Sequence, residues 1–284
     1  AVLIGLEDDG NVRLAIDLGT NGEIAVGTSD RYVIASTACG PALEGAGLSC
    51  GMRAAAGAVQ HFTINDDGTV TLDVIGGIEP MGICGSGIID ILAELIKHNV
   101  INKRGQLLSK DKYISKFGED KFSERLIKVD GVNAFLVSGE GETAVTFTQL
   151  DAREIQKAKA AIMAGCLTII KKYGIDPKEI HEVCLAGAFG NYLSVEQAQL
   201  IGLFPDIEGV PVRSIGNGAG TGVQMYLLDK GSVKKCNKVQ ANADADSENA
   251  DEQEAAAEEE KPSNDGYVVR SIKKVNTTRR WKRV

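Results

Sequence analysis

No two of the six cysteines, at positions 39, 50, 84, 166, 184 and 236, form a Cys-x-x-Cys pair. That absence argues against a zinc ribbon, a thioredoxin-type redox pair and a self-contained iron–sulfur cluster. No apolar run reaches the roughly 20 residues needed to span a bilayer, and no charged-then-apolar signal segment opens the chain. The expectation is therefore a cytoplasmic protein with no membrane partner. Basic charge is also in deficit, with a formal net charge of -8, which argues against a general nucleic-acid binder. The first residue is Ala1 rather than Met and the chain enters at what reads as a strand, so an amino-terminally truncated piece of a longer protein is expected.

The acidity is uneven. Between Asp244 and Asp265 there are ten acids and one base, Lys261, among Ala, Asn, Ser and Gln. This composition belongs to a solvated linker that cannot bury enough apolar surface to fold. Residues 267–284 then carry seven bases and no acid. That stretch reads either as a flexible tail or as an electrostatic docking peptide anchored by Trp281. The expected organisation is one α/β domain over 1–231, an acidic disordered linker over 232–266 and a basic tail over 267–284.

Within the body, Val12, Leu14 and Ile16 alternate as a half-buried strand does, Asp17 ends the run, and 23–27 reads as the returning strand. Gly19 and Gly22 flank Thr20 and Asn21, so the backbone can approach a ligand closely and offer N–H groups to phosphate oxygens. Asp17 would then hold a magnesium ion or its bound water, because a carboxylate repels phosphate directly. The alternative is a plain Asn-Gly hairpin.

Downstream, strands and helices alternate. Residues 43–59 are rich in small side chains and read as partly helical, 69–75 as a strand, and 88–100 as a helix with Ile88, Leu92, Leu95 and Ile96 on one face. Residues 103–141 show the least pattern and are expected to be an irregular insertion. Thr148 and Asp151 make a capping box for a helix running to Tyr173 and stopped by Gly174, with Ile155, Ile162, Cys166 and Ile169 facing a sheet. A strand over 183–187 breaks at Gly187-Ala188-Phe189-Gly190 before a helix capped by Ser194 and Gln197. Small residues at that strand end either accommodate a flat ring or simply make a turn. A third glycine cluster, 216–222, opens a last helix to about Leu228 and either contacts a ligand or allows close helix packing. Cys166 and Cys184 read as small buried hydrophobes. Cys84 precedes a helix, where a thiol pKa falls, but packing also explains it.

Five blocks resemble one family in the right order: IDLGTNGE (16–23), STACGPALEGAGLSCGMRAAAGAV (36–59), MGICGSGIID (81–90), TQLDAREIQKAKAAIMAG (148–165) and LAGAFGNYL (185–193). The chain from about Asn11 to Leu228 is similar to the carboxyl-terminal part of the ATP-dependent reductive activators of corrinoid proteins. The resemblance implies a ribonuclease-H-like half of the actin-like ATPase fold, a mixed sheet flanked by helices. It implies ATP and Mg2+ as ligands, a corrinoid protein as partner, a homodimer, and the return of that partner from Co(II) to the methyl-accepting Co(I) state. Carried over, Asp17 matches the metal-side aspartate of the second phosphate motif, Gly19, Thr20, Asn21 and Gly22 its turn, and Gly187, Ala188, Phe189 and Gly190 the adenosine motif.

The pattern departs from the family at two points. These residues hold no second Asp-(Ile or Leu)-Gly-Thr turn and no ferredoxin-like [2Fe–2S] domain, whereas the family carries a first ATPase half with its own phosphate turn and that domain toward the amino terminus. The isolated chain is accordingly expected to bind ATP weakly and to reduce nothing. Glu44 and Arg53 could line the cleft, line a protein interface or form structural salt bridges. Rival readings are a kinase, a hydroxyacyl-CoA dehydratase activator in which Cys39 or Cys84 would ligate a [4Fe–4S] cluster shared by two subunits, or a non-catalytic docking module.

Overall fold

The computed structural model describes residues 10–28, 30–118, 121–187 and 192–238. All fall in the first of two units into which the chain divides, 1–246 and 247–284. The expected basic tail and the expected acidic linker from 239 onward lie outside the described residues, as do Ala188, Phe189 and Gly190.

Three strands open the fold: β1 (Arg13–Leu18), β2 (Gly22–Gly27) and β3 (Tyr32–Thr37). Alternation decides their faces. Leu14, Ile16 and Leu18 on β1 and Ile24 and Val26 on β2 are buried, while Asp17 is half-buried and Glu23 exposed on the opposite face. Two later strands, β10 (Glu182–Gly187) and β11 (Val212–Gly216), complete a five-stranded mixed sheet of order β11-β10-β1-β2-β3. β1 runs parallel to β10 and antiparallel to β2. The long helix α3 (Gln149–Tyr173) lies against β2 and β3. It is started by the expected Thr148–Asp151 capping box and stopped by Gly174 in a left-handed conformation. Ile155, Ile162, Cys166 and Ile169 are buried on it, as their spacing requires.

The chain between β3 and α3 does not join this sheet. β4 (Ala58–Ile64), β5 (Val70–Val74) and β6 (Gly82–Ile83) form a second sheet of order β5-β4-β6, against which α1 (Gly85–Lys97) packs. α2 (Lys110–Phe117) leads into a third sheet, β7 (Leu126–Val129), β8 (Val132–Ser138) and β9 (Val145–Thr148). Two expectations are corrected. Residues 43–57 are not an α-helix: a short 3-10 turn, Pro41–Glu44, is followed by turns and bends. The small residues allow one stretch of loop to lie on another, since a Cβ on Gly45 would sit 2.5 Å from the Met52 carbonyl oxygen. Residues 103–141 are likewise regular, holding α2, β7 and β8.

The chain then turns through α4 (Val195–Leu200), capped by Ser194 as expected, and α5 (Gly218–Leu228), and a further helical stretch over 230–238 runs into the start of the expected disordered linker, so that 232–238 is helical instead. Cys166 and Cys184 are fully buried, and burial pushes both thiols up to about 12. Among the described residues, no helix is long and apolar enough to cross a membrane.

Candidate functional site

The parallel pairing of β1 with β10 brings two of the sequence motifs side by side. Asp17 is in register with Ala186, and Leu18 with Gly187. Gly187 has φ +106, and a Cβ there would lie 2.3 Å from the Leu18 carbonyl oxygen and 3.0 Å from Asp17 Oδ1. Only glycine fits this strand end without moving the carboxylate.

The β1–β2 turn is held from outside. Thr20 Oγ1 donates to Glu44 Oε1 at 2.8 Å, Gly40 N–H donates to the Thr20 carbonyl at 3.0 Å, and Cys39 Sγ donates to the Gly19 carbonyl at 3.2 Å. The Gly19 N–H is turned inward onto the Asn21 carbonyl at 3.1 Å. That removes one donor from the turn and leaves, among the described residues, the N–H groups of Thr20 and Asn21 without a protein acceptor. The Cys39 thiol is pushed up by burial and so stays a protonated donor to the turn. Cys84 Sγ similarly faces the Val59 carbonyl at 3.4 Å.

Directly opposite Asp17 across the antiparallel pair stands Glu23. Burial raises the Asp17 pKa above its ordinary value, and the Glu23 carboxylate raises it further. Glu23 accepts from Ser36 Oγ at 3.0 Å. The two carboxylates border a cavity of about 590 Å³ on the sheet face away from α3, with Ala15, Ala25, Ile34 and Ile215 as its apolar wall. Glu23 was findable by counting: a hairpin that pairs Leu18 with Gly22 must pair Asp17 with residue 23.

A second cavity, of about 570 Å³, lies beyond the turn, and Glu44, the partner of Thr20, is in its wall with Arg53, Gln60, Ser86 and Tyr192. It also receives Cys84 and Gly85 at the start of α1, where no side chain caps the helix. Uncapped N–H groups and the helix dipole favour an anion there. Nothing in the sequence linked Glu44 to Thr20, 24 residues earlier. The structure thus brings together Asp17, the Gly19–Gly22 turn and Gly187, ties the cleft candidate Glu44 to Thr20, and adds Glu23.

The profile of the C-terminal domain of RACo, the ASKHA domain, matches residues 11–254. The chain belongs to this family. ASKHA domains are actin-like ATPase domains, and the mixed sheets flanked by helices agree with that assignment. The chain is 49% identical over 246 residues to the corrinoid activation enzyme RamQ of Eubacterium limosum, covering 84% of this chain and 40% of that protein. It is 30% identical over 213 residues to the [Co(II) methylated amine-specific corrinoid protein] reductase of Methanosarcina barkeri, covering 68% and 34%. A solved reductive activator for corrinoid, iron–sulfur protein superposes with a TM-score of 0.73 at 34% identity, over 85% of this chain and 37% of that one. This ASKHA chain therefore spans well under half the length of the relatives it matches.

Proposed function

We propose that this ASKHA domain grips ATP within an activator that returns a corrinoid protein from Co(II) to Co(I). The observation that carries the reading is the Asp17–Glu23 carboxylate pair held against Gly187 at the mouth of a cavity. Relatives named as a corrinoid activation enzyme and a Co(II) corrinoid protein reductase supply the partner class.

The residues fit a magnesium ion. Among the described residues no group of three or more His, Cys, Asp or Glu gathers to cage a metal. Two like-charged carboxylates, one with a raised pKa, are what remains, and magnesium is commonly held by one or two carboxylates together with water and substrate phosphates. Asp17, with Glu23 beside it, would hold the ion, and the ion would neutralise phosphate charge. The chain's own residues do the rest. Thr20 and Asn21 N–H groups donate to phosphate oxygens, Glu44 fixes Thr20, and the bare Gly187 leaves room at the strand end. ATP then favours whichever arrangement of the longer protein it binds more tightly, and that differential affinity is the only source of the conformational bias that eases cobalt reduction. The electron enters from outside these residues.

In this reading residues 1–231 are the ATPase subdomain, 232–266 a linker and 267–284 a tail. The protein acts as a homodimer in the cytoplasm, in keeping with the free state of all six cysteines. The test uses the longer protein with both ATPase halves. Asp17→Asn is expected to lower ATP-dependent formation of Co(I) on the corrinoid partner about a hundredfold, read from the corrinoid absorbance. Unchanged ATP dependence would overturn the assignment. The chain alone, titrated with magnesium and ATP in a calorimeter, is expected to bind no tighter than about millimolar.

A further inference from the structure

A third cavity, of about 480 Å³, lies among the carboxyl half of α1, the loop over 99–105, the amino half of α3 and the end of α4. Its floor is apolar: Leu92, Ile96, Ile101, Ile201 and the 39% exposed Leu200. Its charged lining is cationic throughout, with Lys103, Arg104 and Lys159 and no acidic residue. In a chain of net charge -8 that local excess is out of character.

Two of the neutral polar side chains in this wall, Asn102 and Gln156, are already engaged. Asn102 Oδ1 accepts from the N–H groups of Arg104 and Gln106, and Asn102 Nδ2 donates to Gln106 Oε1. Gln156 Nε2 donates to the Gly105 carbonyl at 3.1 Å. The cations are different. Lys159 Nζ donates to the Ile201 carbonyl, which leaves two of its three protons, and burial lowers its pKa. Among the described residues, none of the three cations pairs with a carboxylate. A half-buried ammonium without a counter-ion is a cost that a bound anion removes.

We propose that this groove docks an acidic segment of a partner protein, seating an apolar side chain on the Ile96–Leu200 floor with carboxylates against Lys103, Arg104 and Lys159. Cations presented from two separate elements around an apolar floor match several carboxylates flanking an apolar residue better than one compact anion. This inference is independent of the nucleotide reading, because none of its residues belongs to the Asp17 site.

The test is fluorescence anisotropy of a labelled Glu-Glu-Leu-Leu-Glu-Glu peptide with the full chain. Binding is expected to weaken steeply with salt and to fall about tenfold in Lys103→Ala/Arg104→Ala, two exposed positions whose change leaves the fold intact. Lys159→Met is expected to do the same, while Lys171→Ala/Lys172→Ala, at exposed positions near the far end of α3, changes nothing. A Gln-for-Glu peptide and an Ala-for-Leu peptide should each bind at least about tenfold more weakly. The proposal falls if no peptide binds, if affinity survives neutralisation of all three cations, if the Ala peptide binds equally well, or if citrate displaces the peptide at equal concentration.

Discussion

The Gly19–Gly22 turn and the Gly216–Gly222 run look alike as sequence, yet the structure treats them in opposite ways. The turn is tied by Glu44, Gly40 and Cys39, and a Cβ on Gly22 would lie 2.7 Å from Thr37 Oγ1. The run opens α5, where Asn217 caps Gly220 N–H, a Cβ on Gly222 would meet nothing within 4 Å, and no residue of the helix is buried. Val223, Tyr226, Leu227 and Leu228 are exposed at 59%, 43%, 74% and 87%. A helix apolar on all sides is normally buried. Glycine at the first place makes room within this chain. At the second, apart from Gly218, which lies close to Ala186 and lines the Asp17 cavity, it begins a helix whose apolar faces stay uncovered among the described residues.

The sharpest way to break the contrast is Gly187→Ala, at the strand end beside the turn. The new methyl meets the Leu18 carbonyl at 2.3 Å in a left-handed backbone, so the chain should lose about 3 kcal/mol, read as a lower urea midpoint. An unchanged midpoint would show that the β1–β10 end is slack. Next in size is Thr20→Val, which keeps the shape and deletes the 2.8 Å bond to Glu44. About 1 kcal/mol should go, and Glu44→Gln, which can still accept from Thr20, should lose less.

A smaller effect tests the electrostatics of the same turn. Because the folded state raises the Asp17 pKa above 3.8, it holds the proton more tightly than the unfolded chain does. Ionised Asp17 therefore destabilises the fold, fully above the raised pKa, and the penalty fades as pH falls toward 3.8. Asp17→Asn should melt higher than the parent at pH 7, and the two should converge near pH 3. A variant that melts lower at pH 7 would mean that the carboxylate has a partner in the fold.

These contrasts also explain what was legible in the sequence. The hairpin, α3 and β10 followed from period and caps, since Thr148 and Gly174 act locally, and α5 from the glycine cluster that opens it. The misread stretches had signals of another kind. Val129-Asp130-Gly131-Val132 carries the Asp-Gly hairpin signature, and both central residues do have positive φ, yet the charged surroundings hid the alternation of β7 and β8. Ser109 and Gly118 bracket α2 as N-cap and left-handed C-cap, but Tyr113 is the one residue buried within it, too little to show a period. In the site, Asp17, the turn and Gly187 were readable because strand ends carry them. Glu44 was only one of two open candidates, because its bond to Thr20 is set by how a loop without regular period folds over the turn.

The least effect in this chain is expected from Leu227→Ser/Leu228→Ser, and that smallness is the point. Side chains already this exposed transfer little area on unfolding, so stability should move by less than about 0.5 kcal/mol, against about 3 for one methyl at Gly187. If α5 is instead the place where the rest of the longer protein or a second copy rests, the same two changes should bite there. The longer protein would then melt several degrees lower, or its dimer would weaken in sedimentation at falling concentration. Equal indifference in the chain and in the longer protein would leave α5 as a solvated helix and dissolve the contrast between the two glycine segments.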